Sequence, residues 1–110
     1  MTLYPVTVND ATEPKFTAAV IQEVFGKERF QLSPHPMPQS DDFSRVLEAV
    51  PGAFLMLSAG PPEMNPDTAP FNHSGTALFD DSLLVDGAQK YALLALKRLK
   101  LRSDNTLALR

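Results

Sequence analysis

Apolar and polar positions along the chain change period several times, and each change predicts an element boundary. Between Glu13 and Phe25 the apolar residues Phe16, Ala19, Val20 and Val24 recur at helical spacing. Asp10 or Thr12 can cap that stretch, Pro14 is tolerated in a first turn, and Gly26 stops it. A second helical pattern runs from about Asp41 to Ala49, with Ser40, Asp41 or Asp42 as cap and Phe43, Val46, Leu47 and Val50 as its buried stripe; Pro51-Gly52 ends it. The longest helix is predicted from near Asp81 or Ser82 to about Leu101, with Leu84, Ala88, Tyr91, Ala92, Ala95 and Leu99 on one side. Gly87 inside it costs about 1 kcal/mol relative to alanine, which predicts a close approach to another backbone.

Three segments read as strands. Leu3 to Val8 is rich in β-branched residues and ends at Asn9-Asp10, with Pro5 pointing to an edge position. Arg29 to Leu32 is a short candidate that runs into Ser33-Pro34-His35-Pro36-Met37-Pro38, where three prolines forbid regular structure. Ala53 to Leu57 is a continuous apolar run between Pro51-Gly52 and the Ser58 to Pro62 turn residues, which reads as a strand covered on both faces. The resulting order β-α-β-α-β-α predicts an α/β architecture with an at least partly parallel sheet. From Gly60 to about Phe79 no periodicity is visible, and an ordered loop of that length is uncommon unless it is functional. Ser103 to Arg110 reads as a frayed tail.

Composition narrows the function classes. With 110 residues, 44% of them apolar, the chain can form one small core but not two. The net charge of -3 comes from interspersed acids and bases, and the one basic block, Lys97, Arg98, Lys100 and Arg102, suits a helix C-terminus. No nucleic-acid partner is expected, because a phosphate-binding domain is basic over a whole face. The absence of cysteine excludes disulfides, thiolate metal sites and cysteine nucleophiles from this chain. No apolar window reaches the roughly 18 to 20 residues of a membrane span, and no signal-peptide pattern opens the chain. A cytoplasmic location with no membrane partner is the expectation.

Chemistry is sought in the long loop, which leaves the Ala53 to Leu57 segment at its carboxyl end, where open α/β sheets gather ligands. His73 lies there, in Pro70-Phe71-Asn72-His73-Ser74-Gly75. A neutral imidazole can bind zinc, manganese or a similar ion. One histidine without a spaced partner is equally the pattern of a solvated loop residue. Ser40, Asp41 and Asp42 read first as helix caps and second as groups near a substrate. His35, between prolines, reads as a solvated loop residue.

Several stretches in register resemble one family. Gln39-Ser40-Asp41-Asp42-Phe43-Ser44, Val50-Pro51-Gly52-Ala53-Phe54 with Leu57 and Gly60, Phe71-Asn72-His73-Ser74, and Leu78-Phe79-Asp80-Asp81 with Leu83 follow one another as in the C-terminal part of the hippurate and N-acyl-amino-acid hydrolases, a family of metal-dependent peptidases and amidohydrolases. Tyr4 to Asp10 resembles the strand by which the family's lid or dimerisation domain returns to its catalytic domain. The resemblance spans about Tyr4 to Leu99. Gln39 replaces a usual glycine, Asp41 a usual glutamate, and Asn72 and Gly75 stand where leucine and proline are common. Pro62 to Asp67 lengthens the approach to His73.

The resemblance implies a partial three-layer sandwich from a zinc-exopeptidase-like domain. Residues 1–10 would be the returning strand, 11–102 the C-terminal portion of the catalytic domain, and 103–110 a tail. It implies that His73 is a ligand to one of two divalent ions, zinc, manganese, cobalt or nickel. It further implies that the intact enzyme hydrolyses small amides such as N-acyl amino acids and forms a homodimer through its lid domain. The family's other ligands and its catalytic glutamate have no counterpart in these 110 residues, so no catalytic residue is assigned here and the chain alone is expected to be inactive. Two other readings remain, a non-catalytic protein-binding module and a non-functional remnant.

Overall fold

In a computed structural model, residues 4–108 are described, and for 107 and 108 the backbone only. They form α1 (Glu13–Phe25), a 3-10 turn η1 (Lys27–Arg29), α2 (Phe43–Ala49) and α3 (Leu83–Ala108). All three helices fall where the apolar spacing predicts them. Helix α3 runs beyond Leu101, so the expected tail is helical as far as Ala108; residues 109 and 110 lie outside the described residues.

The expected α/β sandwich with a parallel sheet is not the fold of this chain, because no strand occurs among the described residues. Of the three predicted strands, Leu3 lies outside the described residues, 4–8 is irregular, and the region 29–32 begins inside η1. The apolar run 53–57 is irregular by hydrogen-bond pattern as well. The reason lies in its neighbour. The Asp10 amide donates to the Gly52 carbonyl at 2.9 Å, as a ladder would begin. The next rung is then made by a side chain, as the Asn9 carboxamide accepts from the Phe54 amide at 2.7 Å and donates to the Phe54 carbonyl at 3.4 Å. Asn9 thus satisfies Phe54 without a second strand, and successive backbone pairing stops there.

Helix α1 starts on Asp10. Its Oδ2 accepts from the Thr12 hydroxyl at 2.5 Å and from the Thr12 and Glu13 amides at 2.9 and 3.2 Å, which relieves two orphan donors of the first turn. Gly26 ends the helix at φ 102°, a conformation that favours glycine, and its amide returns to the Gln22 carbonyl at 3.1 Å. The Thr12 hydroxyl, and after it the Thr12 and Glu13 amides, hold the Asp10 carboxyl below its ordinary value of 3.8. A carboxyl depressed in the fold contributes stability that is present above its unfolded value and lost as pH falls through the folded one. Acid titration followed by circular dichroism should therefore show helicity falling below about pH 4, with the drop reduced in an Asp10→Asn variant.

The core is small. Among the described residues, Val20 and Ile21 are the buried apolar ones, and Thr17 and Ser44 the buried polar ones. Helix α3 meets α1 through charges rather than through its predicted stripe: Arg98 pairs with Glu13 and lies 4.0 Å from the Phe16 ring, and Lys97 pairs with Glu23 at 3.0 Å. Lys90 sits 5.2 Å from the Phe25 ring, and Arg29 reaches Asp86 at 2.5 Å. The face expected to be buried points outward instead, with Leu84 71%, Tyr91 82% and Leu99 62% exposed. What approaches Gly87 is the Leu57 side chain, 3.4 Å from where a Cβ would stand, and not a backbone.

Helix α2 packs on no other helix among the described residues and is fixed instead by Phe43, whose ring lies 5.7 Å from that of Phe54. The result is open. The radius of gyration is 16.6 Å, against about 13 Å for a compact chain of this length.

Candidate functional site

His73 sits in a pair of successive turns between the apolar run and α3. The Ser74 amide donates to the Phe71 carbonyl at 2.8 Å, which puts Asn72 and His73 at the two central positions of a turn. The Ala77 amide then donates to the Ser74 carbonyl at 3.2 Å, and the Ser74 hydroxyl is 2.9 Å from that of Thr76 and accepts from the Thr76 amide at 3.2 Å. Ser74 therefore organises the loop just after His73. The far end of the loop is fixed where the Asp80 amide donates to the Ala59 carbonyl at 2.7 Å. Asp80 Oδ1 also accepts from the Ser82 amide and hydroxyl at 3.0 and 2.6 Å, ordering the entry to α3. His73 itself is exposed.

Ser40 and Asp42 are exposed and Asp41 is half-buried at the start of α2. Asp41 Oδ1 accepts from the Phe43 amide at 2.8 Å, and the Asp41 carbonyl accepts from the Ser44 hydroxyl at 2.7 Å and from its amide at 3.2 Å. The Asp42 carbonyl takes the Arg45 amide at 3.0 Å. These contacts build the first turn of a short helix and leave Ser44 fully buried. His35 is exposed, and its carbonyl accepts from the Ser33 hydroxyl at 2.7 Å.

Among the described residues, no hydrogen bond or ion pair links His73 to Ser40, Asp41 or Asp42, and no group of three or more His, Asp or Glu side chains could hold a metal ion. A metal site needs several converging donors, four for structural zinc and three plus an open position for catalytic zinc. The residues described here do not by themselves fit the metal centre that the family resemblance implies. His73 is one donor, exposed and in an ordered turn. The residue missed from sequence is Asn9, which reads as a turn residue yet fixes the 53–57 segment; its type alone carries no signal for a contact 45 positions away.

Among the described residues, no helix is long and apolar enough to cross a membrane. No family model matches the chain, and no solved structure matches it. Two curated proteins are similar to it. Hippurate hydrolase of Campylobacter jejuni is 33% identical over 96 residues, 87% of this chain and 23% of that enzyme. Thermostable carboxypeptidase 2 of Saccharolobus solfataricus is 32% identical over 95 residues, 86% of this chain and 23% of that enzyme. Over most of its length the chain is thus related in sequence to hydrolases named for hippurate hydrolysis and carboxypeptidase action, and it spans about a quarter of the length of each.

Proposed function

We propose that the chain is the C-terminal part of a metal-dependent amidohydrolase, that it contributes His73 as one ligand of the metal centre, and that it does not turn over substrate alone. The observation that carries this reading is the similarity to two hydrolases across 86 to 87% of the chain. The two names converge chemically: hippurate is an N-acylated glycine and a carboxypeptidase releases a C-terminal residue, so both cut an amide whose nitrogen belongs to an amino acid with a free carboxylate. The substrate class proposed here is the same, N-acyl amino acids or small peptide-like amides.

The chain's own part in that chemistry is positional. Ser74 and Thr76 order the turn that carries His73, and the Asp80 amide ties the end of the loop to Ala59. A bound divalent ion would polarise an amide carbonyl and lower the pKa of water. The other donors and the general base would come from elsewhere in the intact enzyme, since the described residues bring no further metal-ligating group together with His73.

The test is a chimera in which this chain replaces the matching segment of the Campylobacter jejuni enzyme. The chimera should hydrolyse hippurate, and the isolated chain, given zinc or manganese, should not. Turnover by the isolated chain, or a folded chimera without any, would refute the proposal. The outward apolar residues of α3 favour a second reading, a protein-binding module; it is the reading left if the folded chimera is inert.

A further inference from the structure

The loop that carries His73 hangs from a base set by the segment before it. The Asp80 amide donates to the Ala59 carbonyl at 2.7 Å, which closes residues 60–79 where they leave and rejoin the rest of the chain. Inside that base the turns close on themselves. The amides of Met64, Thr68, Ser74 and Ala77 donate to the carbonyls of Pro61, Asn65, Phe71 and Ser74 at 3.0, 3.2, 2.8 and 3.2 Å. A loop ordered from within moves with its base, so where His73 stands depends on where Ala59 stands.

Ala59 in turn is placed from Phe54. The Asn9 carboxamide accepts from the Phe54 amide at 2.7 Å and donates to the Phe54 carbonyl at 3.4 Å, gripping both backbone groups of one residue. A two-point contact fixes the direction of the chain as well as its position. The neighbouring contacts fix less, since Asp10 makes one bond to the Gly52 carbonyl and Phe43 meets the Phe54 ring rather than its backbone. Asn9 is itself well seated, because Asp10 beside it starts α1 through Thr12 and Glu13. The five residues from Phe54 to Ala59 reach up to about 17 Å, so a tilt of about 10° at Phe54 carries Ala59 by up to about 3 Å. A misplacement of about 1 Å at a reacting group is enough to cost roughly 100-fold in rate.

We propose that Asn9 is a positioning residue for His73, acting through the segment 54–59 and the Ala59–Asp80 base of the loop. It lies 64 positions from His73 in sequence and sets the direction from which the loop is presented. The inference rests on the hydrolase reading for what His73 does there. The path from Asn9 to the loop rests on the geometry of this chain.

The test has two arms. In the isolated chain, Asn9→Leu keeps the size of the side chain and removes both contacts to Phe54. Residue-resolved amide exchange should show Phe54 and Asp80 exchanging about tenfold faster, with the Ile21 and Val24 amides of α1 unchanged. Asn9→Asp keeps the acceptor of the shorter bond and should lie closer to the unmodified chain than Asn9→Leu does. Unchanged exchange at Asp80 overturns the proposal. So does an equal loss across α1, which would make Asn9 a general stabiliser. In the chimera, Asn9→Leu should lower kcat for hippurate by about 10- to 100-fold with KM little changed. Ile21→Ala, which weakens the core without touching this path, should leave kcat unaltered below its thermal midpoint. Turnover lost in His73→Ala but kept in Asn9→Leu overturns this proposal and leaves the hydrolase reading standing. A folded chimera inert from the start sinks that reading instead, and the exchange rates at Asp80 then decide whether Asn9 holds the loop.

Discussion

Replacing His73 with alanine in the chimeric hydrolase lowers hippurate turnover by more than about 100-fold, since changes to groups that merely support a metal ligand already cost 10- to 100-fold. The loss should appear in kcat as well as in kcat/KM, because a missing ligand removes transition-state stabilisation rather than uniform substrate binding. His35→Ala is the matched control. Both histidines are exposed loop residues, and only His73 is proposed as a metal ligand, so turnover in His35→Ala should be unchanged. Equal losses in the two variants would show that the chimera responds to loop damage in general.

The isolated chain should be unusually sensitive to Ile21→Ala. Ile21 is 7% exposed and shares the apolar core with Val20. Truncating a buried isoleucine costs about 2 to 5 kcal/mol, a large part of the roughly 5 to 15 kcal/mol that stabilises a whole domain. The thermal midpoint should fall by about 10 °C or more. Leu84→Ala, on the outward face of α3, should shift stability by no more than about 0.5 kcal/mol. A similar drop for both variants would mean that α3 buries its leucine face in solution.

The helices were legible in the sequence because their signals are local. Asp10, Pro14 and Gly26 bracket α1, and Pro51-Gly52 follows α2 closely. What the helices bury was not legible. The period that places Leu84, Tyr91 and Leu99 together says that they share a face, and it does not say which way the face turns. Arg98, Lys97 and Lys90 decide that, by meeting Glu13, Glu23 and the aromatic rings of Phe16 and Phe25 from the other side. The predicted sheet failed for a related reason. An apolar run such as Ala53 to Leu57 reads as a covered strand, but a strand exists only where a neighbour offers successive backbone groups, and Asn9 offers a side chain.

At the candidate site the sequence pattern singled out a loop that the structure shows to be ordered, through Ser74, Thr76 and Asp80. It also singled out Ser40, Asp41 and Asp42, of which Asp41 spends its carboxylate on the Phe43 amide. Spacing alone does not separate a capping aspartate from one that faces a substrate, because both precede a helix.

The most direct measurement is the metal bound per folded chimera, determined by mass spectrometry after exhaustive dialysis, with His73 intact and with His73→Ala. The expected result is retained divalent metal in the intact and His35→Ala forms and its loss in His73→Ala. Equal metal content with and without the His73 imidazole would contradict the assignment of His73 as a ligand, and with it the part proposed for this chain in a hydrolase.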